Sequence, residues 1–117
     1  MQIQVNTDDN IEGRENLVRH IETEVGRILS RFGDQVTRVE IHLRDENAGK
    51  PGNADKRCLM EARPAGRPPV AVSHEAGSLE DAWTGAAKKM LRLLESTFGR
   101  MSDRKGGASI RTDDAAE

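Results

Sequence analysis

The stretch from Ser78 to Met101, SLEDAWTGAAKKMLRLLESTFGRM, decides the fold, because its apolar residues recur at three- and four-residue steps. Leu79, Trp83, Ala86, Met90, Leu94 and Met101, flanked by Ala87 and Phe98, fall on one side of an α-helix, and that side must be buried. The opposite side of the wheel carries Asp81, Gly85, Lys88, Arg92 and Glu95, with Lys89 and Arg100 on its shoulder. Lys88 and Arg92 are one turn apart and are therefore neighbours in space.

Working back from this helix, Val70 to Ser73 reads as a short strand, preceded by a turn-rich segment from Pro64 to Pro69. Lys56 to Arg63 is a further strand with Cys58, Met60 and Ala62 on one face. The polar run from Asp45 to Asp55, with Gly49, Pro51 and Gly52, is a loop of the kind that joins hairpin strands. From Gln35 to Arg44 the residues alternate. Thr37, Val39, Ile41 and Leu43 are expected to face the helices, and Val36, Arg38, Glu40, His42 and Arg44 to point away.

A first helix is expected from about Gly13–Asn16 to Arg31, with the stripe Leu17, Val18, Ile21, Val25, Ile28, Leu29 and Phe32, and Gly33 as its stop. Gly26 and Gly85 interrupt the two helices, each at about 1 kcal/mol relative to Ala, and either permit close packing or are merely tolerated. Gln2 to Asn6, with Ile3 and Val5 on one face, opens the chain as a half-buried strand. Thr7, Asp8, Asp9 and Asn10 form a turn; as a cation site they would lack the further oxygen ligands that hard cations require. Beyond Asp103 periodicity ends, so the domain is expected over residues 1–104 and a flexible acidic tail over 105–117, with Asp113, Asp114 and Glu117.

Strand, helix, three strands and helix is thus the expected order. A helical crossover makes the first two strands parallel neighbours, and short turns make the others antiparallel. One apolar stripe per helix places both helices on the same sheet face. The expected fold class is α+β: a β-α-β-β-β-α two-layer sandwich with a four-stranded mixed sheet.

The 117 residues suit one domain with a modest core: 35% are hydrophobic and 3% aromatic, with the apolar residues concentrated in periodic segments. Eighteen Lys and Arg against twenty Asp and Glu, a net charge of -2, argue against a protein that coats nucleic acid over its whole surface. Binding to a polyanion would need a local basic face, since affinity follows the phosphates neutralised. A single cysteine, Cys58, makes no internal disulfide, and there is no spanning apolar run or leader pattern at Met1, which together suggest a soluble cytoplasmic protein.

His20, His42 and His74 are scattered over a helix and two strands, without the clustered spacing of a metal site. No phosphate-cradling or dinucleotide glycine pattern is present, and no local signature supports a Cys58–His nucleophilic pair. No enzyme and no cofactor are expected. Trp83, in mid-stripe, is a core residue rather than a platform for bases, and Cys58 a small buried apolar one. Lys88, Lys89, Arg92, Arg100, Arg104 and Lys105 are candidates for phosphate contact, interspersed with Asp81, Glu95 and Asp103. Arg38, His42 and Arg44 make a second candidate patch, and Arg57, Arg63 and Arg67 would extend a basic rim around the third strand.

Three stretches resemble the ribosome hibernation-promoting factors, also called ribosome-associated inhibitor or sigma-54 modulation proteins. They are MQIQV at the start, NLVRHIETEVGRILSRFGDQVTRVEIHL from Asn16, and VAVSHEAGSLEDAWTGAAKKMLRLL from Val70. The likeness covers about Met1 to Arg104 and lies in spacing and pattern rather than a rigid signature.

The resemblance implies a fold related in outline to double-stranded-RNA-binding domains and a domain that occupies the messenger and transfer RNA path of the small ribosomal subunit. Translation would stop by occlusion, under stress or slow growth. Lys88, Lys89 and Arg92 match the basic positions of the family's second helix, here written KKMLRLL. Three departures stand out. Glu80 replaces a usual aromatic residue, the Lys-rich extension is diluted to ESTFGRMSDRK, and the chain resembles the short form without a second, dimer-forming domain. The implied partner is the small subunit and its 16S-type rRNA, with no membrane or DNA; the oligomeric state is left open by the sequence. The alternative is a divergent member that has lost ribosome binding and serves as a protein-interaction domain.

Overall fold

Ten residues of alternating burial, Val36–Asp45 (β2), form the central strand of the molecule. Val39, Ile41 and Leu43 are at most 1% exposed on one side, while Arg38, Glu40, His42 and Arg44 occupy the other. The computed structural model describes residues 1–8, 13–45 and 56–105, with side chains described up to residue 99. Gln2–Thr7 (β1) pairs with β2 in parallel, Lys56–Pro64 (β3) pairs with β2 antiparallel, and Val70–Ala76 (β4) pairs with β3 antiparallel. The sheet order is β1-β2-β3-β4. Arg14–Ile28 (α1) makes the crossover between the parallel pair, and Leu79–Lys105 (α2) closes the fold.

Both helices lie on one face. Ile21, Val25 and Leu29 from the first helical segment meet Val39, Ile41, Met60 and Cys58 from the sheet and Trp83, Ala86, Met90 and Leu94 from α2 in one core, all at most 3% exposed. A fully buried aliphatic side chain of this kind is worth about 1.5–3 kcal/mol. Ala82 joins this core beside Trp83, so the buried stripe of α2 is wider than the heptad-like positions alone indicate. The α+β sandwich expected from the sequence is the fold observed.

Local differences have identifiable causes. At the start of β2 the register steps from Val36↔Pro64 to Arg38↔Arg63, leaving Thr37 as an extra residue. Val36 is therefore buried at 1% exposure and Thr37 is exposed, the reverse of simple alternation. Pro64 has no N–H for a regular ladder at that point. The Thr37 hydroxyl instead donates to the Arg63 carbonyl at 3.1 Å.

The first helix stops at Ile28, not Arg31, and passes through Leu29 into a short 3-10 turn, Ser30–Phe32. The Phe32 and Gly33 amides close this turn onto Leu29 and Ser30 at 3.0 Å, so the tighter bonds satisfy the helix end. Gly33 has right-handed φ of -56° and is not a left-handed cap. The β3–β4 connection does need a glycine: the Arg67 amide bonds to Pro64 across a turn whose third residue, Gly66, has φ of 72°.

β4 continues past Ser73 to Ala76, and α2 runs through Lys105 rather than ending near Met101. The Asp9–Asn10 part of the early turn, most of the expected Asp45–Asp55 loop and residues 106–117 of the expected tail lie outside the described residues.

Candidate nucleic-acid interface

The first turn of α2 is held by Ser78, whose hydroxyl oxygen accepts the Asp81 amide at 3.1 Å, with Glu80 and Asp81 at the positive end of the helix. Ten to fourteen residues after Ser78, Lys88, Lys89 and Arg92 project from the exposed face. They line one side of a groove of about 450 Å³ together with Asp81, Thr84 and Gly85, while His74 and Ala76 of β4 line the other. Gly85 is not a solvent-facing position: a Cβ there would collide with the His74 ring, all three nearest ring atoms falling well inside 3.0 Å. The missing side chain lets β4 and α2 approach, and it sets the floor of the groove.

Within this groove the three cations differ. Lys89 Nζ donates to the Ser73 carbonyl at 2.9 Å and is tied to β4. Lys88 and Arg92 have no ion-pair partner among the described residues. Glu95, one turn from Arg92 in sequence, is turned away to Arg31 at 2.7 Å. The acid that would have neutralised the ridge thus belongs to a different contact, and Asp81 is the carboxylate left in the groove.

The sheet patch lies on the far side of the molecule from the helices. Arg38 donates through Nε to Glu40 at 2.8 Å and through Nη2 to the Gln4 side-chain oxygen, so this arginine is engaged within the sheet. That bond, acting first among several influences, holds the Glu40 carboxyl below its usual range. His42 Nε2 stands 3.6 Å from the same carboxylate. Arg44 is exposed and has no ion pair among the described residues. With Arg57, His42 and the exposed Leu59 it surrounds a depression of about 340 Å³.

The sequence-derived candidates therefore divide into two surfaces: Lys88, Lys89 and Arg92 over the β4 groove, and Arg38, His42 and Arg44 on the open sheet face. Arg57 and Arg63 share that open face, whereas Arg67 lies on the helix side with its guanidinium 6.0 Å from the Phe98 ring. Arg100, Arg104 and Lys105 are in the last turns of α2, and their side chains lie outside the described residues. Leu59 and the His74–Gly85 contact were not singled out from sequence. The β3 pattern could have flagged Leu59 as an apolar residue out of phase with Cys58 and Met60.

Glu80 has a definite role in packing. It accepts the Trp83 indole N–H at 3.3 Å and stands 3.9 Å from His20 Nε2, joining α1 to α2. Trp83 is 3% exposed and its ring meets His20 edge-on at 5.6 Å between centroids. Cys58 is opposite His74 in the β3–β4 register, but burial pushes its thiol up to about 12, so it is held as the unreactive thiol. No helix among the described residues is long and apolar enough to cross a membrane.

A sequence profile described as "Sigma 54 modulation protein / S30EA ribosomal protein" matches residues 3–102. No curated protein sequence matches the chain. Among solved structures, the fold is similar to the Protein Y N-terminal domain of Thermus thermophilus, at 20% identity and a TM-score of 0.65, covering 83% of this chain and 99% of that one. It is also similar to a ribosomal subunit interface protein from Coxiella burnetii, at 13% identity and a TM-score of 0.59, covering 85% and 99% of the two chains.

Proposed function

The chain belongs to the sigma 54 modulation protein / S30EA ribosomal protein family, and from that premise we propose that it is a non-catalytic, cytoplasmic ribosome-associated factor. It binds rRNA in the decoding region of the small subunit and occludes the messenger and transfer RNA path, which stores the ribosome under stress. The observation that carries this reading is the ridge of Lys88 and Arg92 above the β4 groove, which makes no ion pair among the described residues while Glu95 is bound to Arg31. Two positive side chains one turn apart on a rigid helix suit successive phosphates, with shape supplying selectivity for structured RNA. The solved neighbour named as a ribosomal subunit interface protein supports the same partner.

The rival reading, a protein-interaction domain that has lost RNA binding, calls for a contiguous apolar patch. Met1 and Leu59 are the large apolar side chains exposed among the described residues, and Leu59 is ringed by Arg44, Arg57 and His42, which favours RNA.

Co-sedimentation of the purified protein with small subunits and whole ribosomes across a salt series tests the proposal. Saturable binding that weakens with salt is expected, with a slope of about -0.7 to -0.9 per phosphate neutralised. The triple variant Lys88→Glu, Lys89→Glu, Arg92→Glu should lose binding while its thermal unfolding stays cooperative. Unchanged binding by that variant would move the interface elsewhere, and no wild-type binding at low salt would reject the function.

A further inference from the structure

On the side of β4 that faces the helices, Val70, Val72 and Ala76 pack against the core, and His74 breaks this apolar row with a polar ring. Across from it α2 carries Gly85, a helix-interior glycine that costs about 1 kcal/mol relative to Ala. The two departures meet at one contact, where a Cβ on residue 85 would collide with the imidazole. Local rules broken together in this way mark a site rather than a packing solution. The His74 ring is partly buried and makes no hydrogen bond or ion pair among the described residues. Its polar neighbours across the groove are engaged elsewhere: Lys89 on the Ser73 carbonyl, and the Thr84 hydroxyl, which donates to the Glu80 carbonyl at 2.5 Å. Along the same groove, Lys88 and Arg92 lie three and seven residues beyond Gly85, about 4.5 and 10.5 Å down the helix axis. Asp81 stands one turn before Gly85, at the other end. The groove thus runs from a carboxylate, past an imidazole, to two cations.

We infer that His74 is the residue by which this groove prefers RNA to DNA: with Lys88 and Arg92 on the phosphates, the imidazole hydrogen-bonds the 2′-hydroxyl of an adjoining ribose. A neutral imidazole has one donor and one acceptor nitrogen, which matches a hydroxyl that is also both. The 2′-hydroxyl is the group that distinguishes RNA from DNA, and an A-form helix displays it along a wide, shallow minor groove. Asp81 fits the same arrangement. Its carboxylate repels a further phosphate at the His74 end of the groove and tolerates a neutral hydroxyl there. The inference rests on the reading of the α2 ridge as RNA-binding and adds the group that reads the sugar.

The test compares binding of the full chain to a fluorescently labelled RNA hairpin and to the same hairpin with 2′-fluoro riboses, which keeps every phosphate and removes the hydroxyl. The native chain should prefer the hydroxyl form by about three- to tenfold, the worth of one or two neutral hydrogen bonds. His74→Leu should bring that ratio to about one with the salt slope unchanged, since no phosphate contact is lost. His74→Gln keeps a donor and an acceptor and should retain part of the preference. Lys88→Ala should weaken both ligands alike and leave the ratio as it was. Gly85→Ala, which pushes the ring aside without altering its chemistry, should also lower the ratio, and it keeps the test open if the leucine variant fails to fold. A preference unaltered in His74→Leu and in Gly85→Ala overturns the inference, as does equal affinity of the native chain for the two hairpins; RNA binding by the ridge then stands without it. A native chain that binds neither hairpin overturns the ridge reading and this inference together.

Discussion

Gly85 of α2 lies against the imidazole of His74 in β4, so close that a Cβ at residue 85 would fall within 2.6 Å of three ring atoms. Gly85→Ala gains about 1 kcal/mol of helix propensity but must displace that ring. Overpacking of this type costs about 1–3 kcal/mol, so the net expectation is a loss of up to about 2 kcal/mol in urea denaturation. In a His74→Ala background the same change should become neutral or stabilising, a coupling that a double-mutant cycle measures. Gly99→Ala, with nothing within 4 Å of the new Cβ, should stabilise by about 0.5–1 kcal/mol. Equal effects at the two glycines would mean that the His74 contact does not constrain α2.

The three helix cations should separate in a salt series. Lys88→Ala and Arg92→Ala should each lower the slope of subunit binding by about 0.7–0.9. Lys89→Ala should leave the slope nearly as it was, because its ammonium is already hydrogen-bonded to the Ser73 carbonyl. If Lys89 contributes as much slope as Lys88, that bond gives way on binding.

Acid sensitivity should trace to Glu40. The Arg38 hydrogen bond holds its folded-state carboxyl below the ordinary 4.5, so its contribution is present above that pH and disappears as pH falls through the folded value. Arg38→Met should therefore lower stability at neutral pH and flatten the decline on acidification below about pH 4.5. A side-chain NMR titration of Glu40 should show its midpoint moving back up in the variant; an unmoved midpoint would assign the shift to another neighbour.

Cys58 should be silent to thiol reagents in the native protein at pH 8, since burial raises its thiol to about 12, and should react at the rate of an ordinary thiol once urea unfolds the chain. Cys58→Ser puts a hydroxyl into an apolar site and is expected to cost about 1–3 kcal/mol. Rapid labelling in native buffer would mean that the β3–β4 edge opens readily.

The strand and helix periods of this chain state its architecture openly: Val39, Ile41 and Leu43 against Arg38, Glu40 and His42 read as one buried and one open sheet face, and so they are. The reading slips where register, not period, decides. Val36 and Thr37 exchange faces because Pro64, twenty-seven residues later, interrupts the ladder opposite them. Ser73 ends the strand expected from the sequence, yet β4 continues through His74 to Ala76, and Gly85 of α2 leaves room for the His74 ring. At the candidate site, the basic residues were legible as residues but not as a surface. By sequence Glu95 dilutes the helix ridge, but in the fold its partner is Arg31, sixty-four positions away. Arg44 and Arg57 become a pair only when the hairpin register sets them opposite each other.

The sheet order β1-β2-β3-β4 places every strand beside its neighbour in the chain. Only the β2–β3 and β3–β4 hairpins are pairings of short separation, which favour fast folding because little loop entropy is lost; β1 pairs with residues 36 positions away, as in Gln2↔Arg38. The β2–β3–β4 meander can close by itself, whereas β1 reaches its parallel place only after α1 has crossed the sheet. β1 is also an edge with one partner. Its amides are therefore expected to exchange with solvent deuterium ahead of those in the central strands β2 and β3.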